Sequence, residues 1–544
     1  MKKLSVLAVL LMLLTSCSTR IENIEFSWEN SDGSFVYSAW KGEKISAKAT
    51  LSADIDLENL KVRVGRVRNG SYEIPVGNIK VHFVKYVMGD VLNDGYGQCG
   101  ARNKGQYDSI LVADMLDAPE LDIAKADRSQ PVWLSIKVPA DAEPGIYEGK
   151  VTLSCNYGKV ILPFEFDVAD MTLPEPSEWK FHLDLWQNPY SVARYHGVEL
   201  WSDAHFRYME PVMKLLADAG QKVITTTIMN RPWNGQTEDA FGSMVTKTLR
   251  KDGAWSYGYE VFDKWVEFMM GLGIDRQISC YTLIPWNLEF DYFDEKTGQQ
   301  MVVNAKPSSV EYKSYWGLFL ADFAQHLREK GWYEKTVIAM DERSEAAMNA
   351  ALELIRAVQP DFKVSLAGSW HESLESELHD YCIAFRQDYP EGVLEKRQAE
   401  GKVTTFYTCC AERYPNTFLM SPRSEATWIP WYALSKGYDG YLRWAYNSWT
   451  ADPVADARFR TWPAGDCYMV YPNGRSSVRF EKLIEGIQDY EKARILMDKW
   501  NQKGEEDKMK ELIEALKDFT FEEISAGRCE ETLRKAKDVI NAQL

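Results

Sequence analysis

The sequence has no CxxC pair and no histidine spaced from a cysteine as a zinc site requires. Past its first residues it also has no apolar run near the roughly 20 residues of a membrane-spanning helix. Its nine cysteines are scattered, which points away from a metal site and from a dense disulfide framework. The adjacent Cys409 and Cys410 read as buried strand residues. Positive charge is short as well: 63 Lys and Arg stand against 80 Asp and Glu, a formal charge of −17, and this disfavours nucleic acid as a partner. No cofactor is called for. Aromatics are plentiful, with 19 Trp and 28 Tyr, and flat aromatic faces are what the C–H surfaces of pyranose sugars stack against.

Lys2 and Lys3 precede an apolar stretch over residues 4–14, a charged head and a core too short to cross a bilayer, so residues 1–16 read as a signal peptide. Leu14-Thr15-Ser16-Cys17 resembles the lipobox of bacterial lipoproteins, which implies that Cys17 is acylated. The expectation is a soluble body tethered to a membrane through that anchor, in the cell envelope on a periplasmic or outer-membrane surface. Cleavage removes Lys2 and Lys3 and takes the charge to −19. Plain secretion after cleavage near Ser18 is the alternative.

Residues 17–172 carry short alternating runs broken by turn residues, such as Leu60-Lys61-Val62-Arg63-Val64 and Tyr147-Glu148-Gly149-Lys150-Val151-Thr152-Leu153. That is the pattern of an antiparallel β-sandwich. Leu173-Pro174-Glu175-Pro176-Ser177 then supplies an extended joint, since proline fixes φ and lacks an amide hydrogen.

Beyond the joint, apolar strands alternate with amphipathic helices over residues 173–500, and further helices follow over 501–544. Strands are expected at 181–186, 222–228, 277–283, 336–341, 362–367, 381–385, 403–408 and 440–444. Helices are expected between them, at 203–219, 257–271, 310–330, 344–358 and 423–435. Eight strand-helix units predict a (β/α)8 TIM barrel, with an open doubly wound sheet as the alternative. The terminal helices fall at about 477–500 and 505–544.

In such a barrel the chemistry sits at the C-terminal strand ends. Those positions hold Asp184 and Trp186, then Asp341, Glu342 and Arg343, then Trp370 and His371, then Arg386 and Asp388. Glu412 and Arg413 follow the seventh strand, and Arg443, Trp444, Asn447 and Trp449 the eighth. Carboxylates, arginines and tryptophans dominate; a Cys/His nucleophile pair and a phosphate-cradling glycine loop are missing. That is the profile of a sugar site. Asp341-Glu342 ends the apolar run Val337-Ile338-Ala339-Met340, where leaving water is costly for two carboxylates, so a bare capping role for the helix at Ser344 is the weaker reading. The other such dipeptide, Asp294-Glu295, lies in a polar stretch and reads as a solvated loop.

Together these features resemble glycoside hydrolase family 123, the β-N-acetylgalactosaminidases. The resemblance rests on the sandwich-then-barrel plan, the Asp-Glu pair at the fourth strand and a C-terminal signature. That signature is Arg443-Trp444-Ala445-Tyr446-Asn447-Ser448-Trp449, then Asp452-Pro453, Gly465-Asp466, Tyr471-Pro472 and Glu485-Gly486-Ile487-Gln488-Asp489-Tyr490-Glu491. The family implies retention by substrate assistance: the sugar's 2-acetamido oxygen attacks its own anomeric carbon and gives an oxazolinium. Glu342 is then the acid and later the base, while Asp341 orients the acetamido N–H and faces the developing charge. Two close carboxylates resist ionising together, and a charged Asp341 would leave the shared proton on Glu342. Both side chains reach one sugar only if the backbone leaves regular β geometry there.

Trp370, Trp444 and Trp449 are expected to stack on the sugar, and Arg443, Asn447, His371, Arg386, Asp388 and Asp184 to bind its hydroxyls. Tyr407 is placed to donate to the acetamido carbonyl. The expected partner is a β-GalNAc-terminated oligosaccharide or glycolipid. Two alternatives stay open: a β-N-acetylglucosaminidase of the same chemistry, and a surface lipoprotein that binds glycans without cleaving them.

Overall fold

The computed structural model describes residues 24–29, 37–70, 72–92 and 107–542. The signal peptide and Cys17 lie outside the described residues.

The described chain forms two compact units. One runs through Ala39 and takes in Ile45–Val84 and Asp117–Ala169; the other takes in Trp40–Lys44, Lys85–Leu116 and everything from Asp170. In the first unit, Ile24–Trp28, Lys44–Ala53, Gln130–Lys137 and the start of Ile79–Leu92 are neighbours in one sheet. Gly158–Thr172, Gly145–Cys155, Leu57–Val64 and Glu120–Ala124 are neighbours in a second. The pairings are antiparallel: Tyr147 faces Phe166 and Val151 faces Leu162. Alternation along each strand sends one face inward, where Phe26, Leu51 and Leu134 of one sheet meet Val62, Leu153 and Phe164 of the other in a single apolar cluster. This is the expected sandwich.

In the second unit eight strands lie parallel. They are His182–Leu185, Val223–Thr227, Gln277–Tyr281, Thr336–Asp341, Lys363–Gly368, Asp380–Ala384, Val403–Tyr407 and Gly440–Arg443. Each pairs with its successor except the first two, and the eighth returns to the first, His182 facing Gly440. The first and second touch through one bridge, Leu183 with Gln221, and through Lys222 N donating to Leu183 O at 3.0 Å. The barrel is therefore nearly closed. Both faces of its strands are covered, so the first five residues of Thr336–Asp341 are all buried.

The helices begin where serine supplies a cap. Ser202, Ser309, Ser344 and Ser477 each accept a backbone N–H from the first turn that follows. Ser344 alone caps Glu345–Val358, so Asp341 and Glu342 are not spent on that duty.

Three local expectations are corrected. The helix expected at 257–271 starts only at Glu260, because Trp255–Gly258 joins Thr246–Leu249, Glu289–Asp294 and Gln299–Asn304 in an inserted four-stranded sheet. Asp294 consequently ends a hairpin strand and is no part of a loose loop, and its Oδ1 accepts Lys296 N at 2.8 Å. The tail expected at 505–544 is three helices, Glu506–Leu516, Phe521–Ser525 and Cys529–Asn541. Thr520 caps the second, and Gly527 turns the chain ahead of the third at φ 77°.

Candidate active site

The fourth barrel strand ends at Asp341, and Glu342 leaves β geometry at once with φ 49°. A left-handed residue at a strand end is costly for a side chain other than glycine, and it breaks the up-down alternation that would send the two carboxylates apart. Glu342 N donates to Ala367 O of the fifth strand at 2.7 Å, which pins the distorted backbone. Asp341 and Glu342 both line a pocket of about 610 Å³ at the C-terminal end of the barrel.

Aromatic rings wall this pocket. Trp186, Trp286, Trp444, Trp462 and Tyr407 line it. Behind Trp186, Trp233 stacks at 4.9 Å and 27°, and Tyr281 packs on both rings at 4.6 and 4.9 Å. Phe241 closes this cluster edge-on to Trp233 at 4.9 Å. Arg343 folds back so that its Nε donates to Asp341 O at 2.8 Å, with its guanidinium 5.2 Å from the Trp286 ring centre. Tyr407 donates its hydroxyl to Glu342 Oε1 at 2.9 Å.

The two carboxylates are unequal. Glu342 is exposed, whereas Asp341 is half-buried. Desolvation, reinforced by the charge of Glu342, pushes the Asp341 carboxyl up to about 8, against the pull of Arg343 and of the Trp233 and Trp286 indoles. The raised value belongs to two interacting carboxylates, so the proton kept near neutral pH is shared by the pair.

The site residues expected from sequence divide sharply. Tyr407 and Trp444 line the pocket. Asp184 is buried within the first barrel strand, where burial and the neighbouring Asp380 hold its carboxyl well above the usual range. Trp370 stacks on Tyr381 at 5.3 Å, and His371 Nδ1 stands 3.8 Å from Glu345. Arg386 lies over Phe521 at 4.1 Å, and Asp388 pairs with Lys436 at 2.7 Å on the surface. None of these five is among the pocket-lining residues.

Arg443, Asn447 and Trp449 are fully buried. Arg443 binds Asp466 at 2.7 Å and Asn416 at 2.9 Å. Asn447 grips both the amide and the carbonyl of Asn188, and Trp449 Nε1 donates to Val470 O at 2.8 Å. The C-terminal signature thus ties the framework together, since Tyr471 likewise donates to Asp114 at 2.8 Å and Glu491 accepts the amides of Lys180 and Phe181. Cys410, expected in a strand, is disulfide-bonded and lies with the free Cys409 in the pocket wall beyond Val403–Tyr407.

The strand-end rule, applied to the second and third strands too, would have reached Trp233 and Trp286. Trp462 sits far along the last loop and carries no such signal.

A family model described as the glycoside hydrolase 123 catalytic domain matches residues 186–496, and one for the family's N-terminal domain matches residues 22–155. The chain belongs to glycoside hydrolase family 123. Among solved structures, a family 123 glycoside hydrolase from Clostridium perfringens, studied for glycolipid glycan hydrolysis, superposes with a TM-score of 0.85. It is 26% identical, and the match covers 96% of this chain and 97% of that one. The β-glucuronidase 3 of Bacteroides uniformis is far less similar, at 11% identity, a TM-score of 0.31, and 86% and 52% coverage. No curated protein matches the chain. Family 123 membership makes the protein a glycosidase with its catalytic domain in the barrel.

Proposed function

We propose that the protein is an exo-acting, retaining β-N-acetylgalactosaminidase that removes terminal β-GalNAc from glycans or glycosphingolipids, held at the cell envelope by an acylated Cys17. The observation that carries this reading is the Asp341-Glu342 pair itself: two carboxylates turned into one aromatic pocket by a left-handed residue, one half-buried and one exposed.

The reaction needs no enzyme nucleophile. The substrate's acetamido oxygen attacks the anomeric carbon while Glu342 gives a proton to the departing oxygen, and the same carboxylate then takes a proton from the water that opens the oxazolinium. Asp341 accepts the acetamido N–H and balances the positive charge on the ring. For this the proton that the pair shares must reside on Glu342 when substrate is bound, and an N–H donor arriving at Asp341 favours that state by stabilising its charged form. The Trp186–Trp233–Tyr281 cluster offers an apolar wall beside Asp341 for the acetamido methyl.

The test is hydrolysis of an aryl β-N-acetylgalactosaminide beside the matching glucosaminide by wild type, Glu342→Gln and Asp341→Asn. Selective galactosaminide cleavage that collapses in both variants supports the reading. Preference for the glucosaminide moves the substrate to N-acetylglucosamine with the chemistry intact, and inactivity on both with sugar binding retained favours a glycan-binding protein.

A further inference from the structure

A sugar in this pocket meets few groups able to bind its hydroxyls. The lining is aromatic and apolar apart from the catalytic pair, Tyr407, Cys409, Cys410 and Gln236, and the Tyr407 hydroxyl is already engaged by Glu342. Gln236 is half-buried, and its side-chain amide has no hydrogen-bond partner among the described residues.

The chain around that amide is held firmly. Trp462 Nε1 donates to Gln236 O at 2.8 Å, and Thr237 Oγ1 donates to Asp239 O at 2.6 Å. Arg460 reaches Thr237 O at 3.4 Å and Glu238 at 2.9 Å, while Arg194 holds Asp239 at 2.8 Å. The loop after the second barrel strand is thereby tied to the loop after the eighth. Across 236–239 the Gln236 side chain alone lacks a partner among the described residues, so a fixed backbone presents a free amide to the pocket.

Its place against the sugar follows from the order of the strands. Around the barrel the fourth strand stands across from the eighth. Asp341 and Glu342 leave the fourth, and in the proposed reaction they meet C2 through the acetamido group and C1 through the departing oxygen. The opposite edge of the pyranose then turns towards Trp444 and Trp462, where Gln236 is clamped. Gln236 also lines a smaller adjoining cavity with Trp186, Trp233 and Phe241, beside the wall offered to the acetamido methyl. Of the far edge it therefore faces the part next to C2, which is C3 and C4, and not C5 and C6.

We propose that Gln236 binds the 3- and 4-hydroxyls of the terminal N-acetylhexosamine and so senses the configuration at C4. This deepens the proposed function and rests on it for the orientation of the sugar. A primary amide carries a donor and an acceptor side by side, which suits two hydroxyls on neighbouring carbons, one accepting and one donating. A sugar that lacks or misplaces the 4-hydroxyl leaves part of a half-buried amide unpaired, and that cost is what discriminates.

The test measures kcat/KM of the full chain, as wild type and Gln236→Met, on an aryl β-N-acetylgalactosaminide, its 3-, 4- and 6-deoxy analogues and the matching glucosaminide. Methionine keeps the length of the side chain and removes both polar groups. In wild type the 3- and 4-deoxy substrates should each fall about 3- to 10-fold below the parent, the size one hydrogen bond between uncharged groups supports, and the 6-deoxy substrate should stay near it. In Gln236→Met the parent substrate falls, the 3- and 4-deoxy penalties shrink towards one, and the galactosaminide-to-glucosaminide ratio drops with them. A residue that merely supported its loop would lower all five substrates alike. Penalties at positions 3 and 4 that the substitution leaves unchanged, or a penalty at position 6 that it abolishes, overturn the assignment. Wild-type inactivity on the parent substrate overturns the proposed function instead. Calorimetry with N-acetylgalactosamine and its 4-deoxy form, on both proteins, then decides Gln236 by the same comparison.

Discussion

Tyr407, the last residue of the seventh barrel strand, donates its hydroxyl to Glu342 Oε1 at 2.9 Å and so joins that strand to the distorted end of the fourth. The hydroxyl is the one polar group of a ring that otherwise packs with Trp186, Tyr281 and Leu442 at the pocket floor. Tyr407→Phe keeps that packing and removes only the donor. We expect kcat/KM on an aryl β-N-acetylgalactosaminide to fall about 10- to 1000-fold, the range found for loss of one donor at a developing charge. The melting temperature should stay within a few degrees. Unchanged kinetics would leave Tyr407 as packing alone.

The raised pKa of Asp341 has two measurable consequences. Its carboxyl holds a proton more tightly in the folded protein, up to about 8, than in the unfolded chain, near 3.9. The stability tied to that proton is fully present below about pH 4 and is lost as pH rises through about 8. Asp341→Asn is neutral throughout, so it should match wild type near pH 4 and become more stable by on the order of 1–3 kcal/mol at pH 9, read from urea unfolding across the range. A difference that is constant with pH would defeat this account.

Catalysis carries the same signature. The pair must enter the reaction with one proton, so wild-type kcat/KM should decline on the alkaline side near pH 8. The pH profile of aryl glycoside hydrolysis checks it, and a plateau running past pH 10 would show that the proton comes from elsewhere.

Trp286→Ala separates sugar stacking from fold support. The ring is partly exposed and carries the Arg343 guanidinium on one side, so its removal leaves only a small cavity. KM for a disaccharide substrate should rise about 5- to 30-fold, from the loss of roughly 1–2 kcal/mol of stacking, and kcat should fall as well, because the indole hydrogen bond to Asp341 goes with the ring. Steady-state kinetics with a melting curve on the same preparation distinguish this from unfolding.

The barrel was legible in sequence because short strand-like runs alternate with amphipathic helices, and the Asp-Glu pair because it ends the apolar run at 337–340. What surrounds the pair was less so. Strand ends announce which residues are near the mouth, but not which way each side chain turns. Arg443 and Asn447 turn inward to satisfy buried partners, Arg386 and Asp388 turn out to solvent, and all four look alike in a sequence. The inserted sheet at 246–304 was hidden for another reason. Trp255, Tyr257, Tyr292 and Tyr315 pack on one another across strands and a helix, and such aromatic spacing fits either element locally.

Arg443 tests that distinction directly. Its guanidinium is wholly enclosed and bridges Asp466 at 2.7 Å and Asn416 at 2.9 Å. Asn416 in turn donates to the carbonyls of Cys409 and Glu412, both at 2.8 Å, in the loop that bears the pocket-lining cysteines. Removing the cation strands the Asp466 carboxylate in the interior, so Arg443→Ala should cost about 3–5 kcal/mol. A sugar-binding arginine would behave otherwise, raising KM in a protein of normal stability. The double variant Arg443→Met/Asp466→Leu, which removes both charges, should recover much of the lost stability, because no buried carboxylate is left unpaired. Melting temperatures of the two variants beside wild type, with KM measured on whatever remains folded, decide between framework and ligand contact.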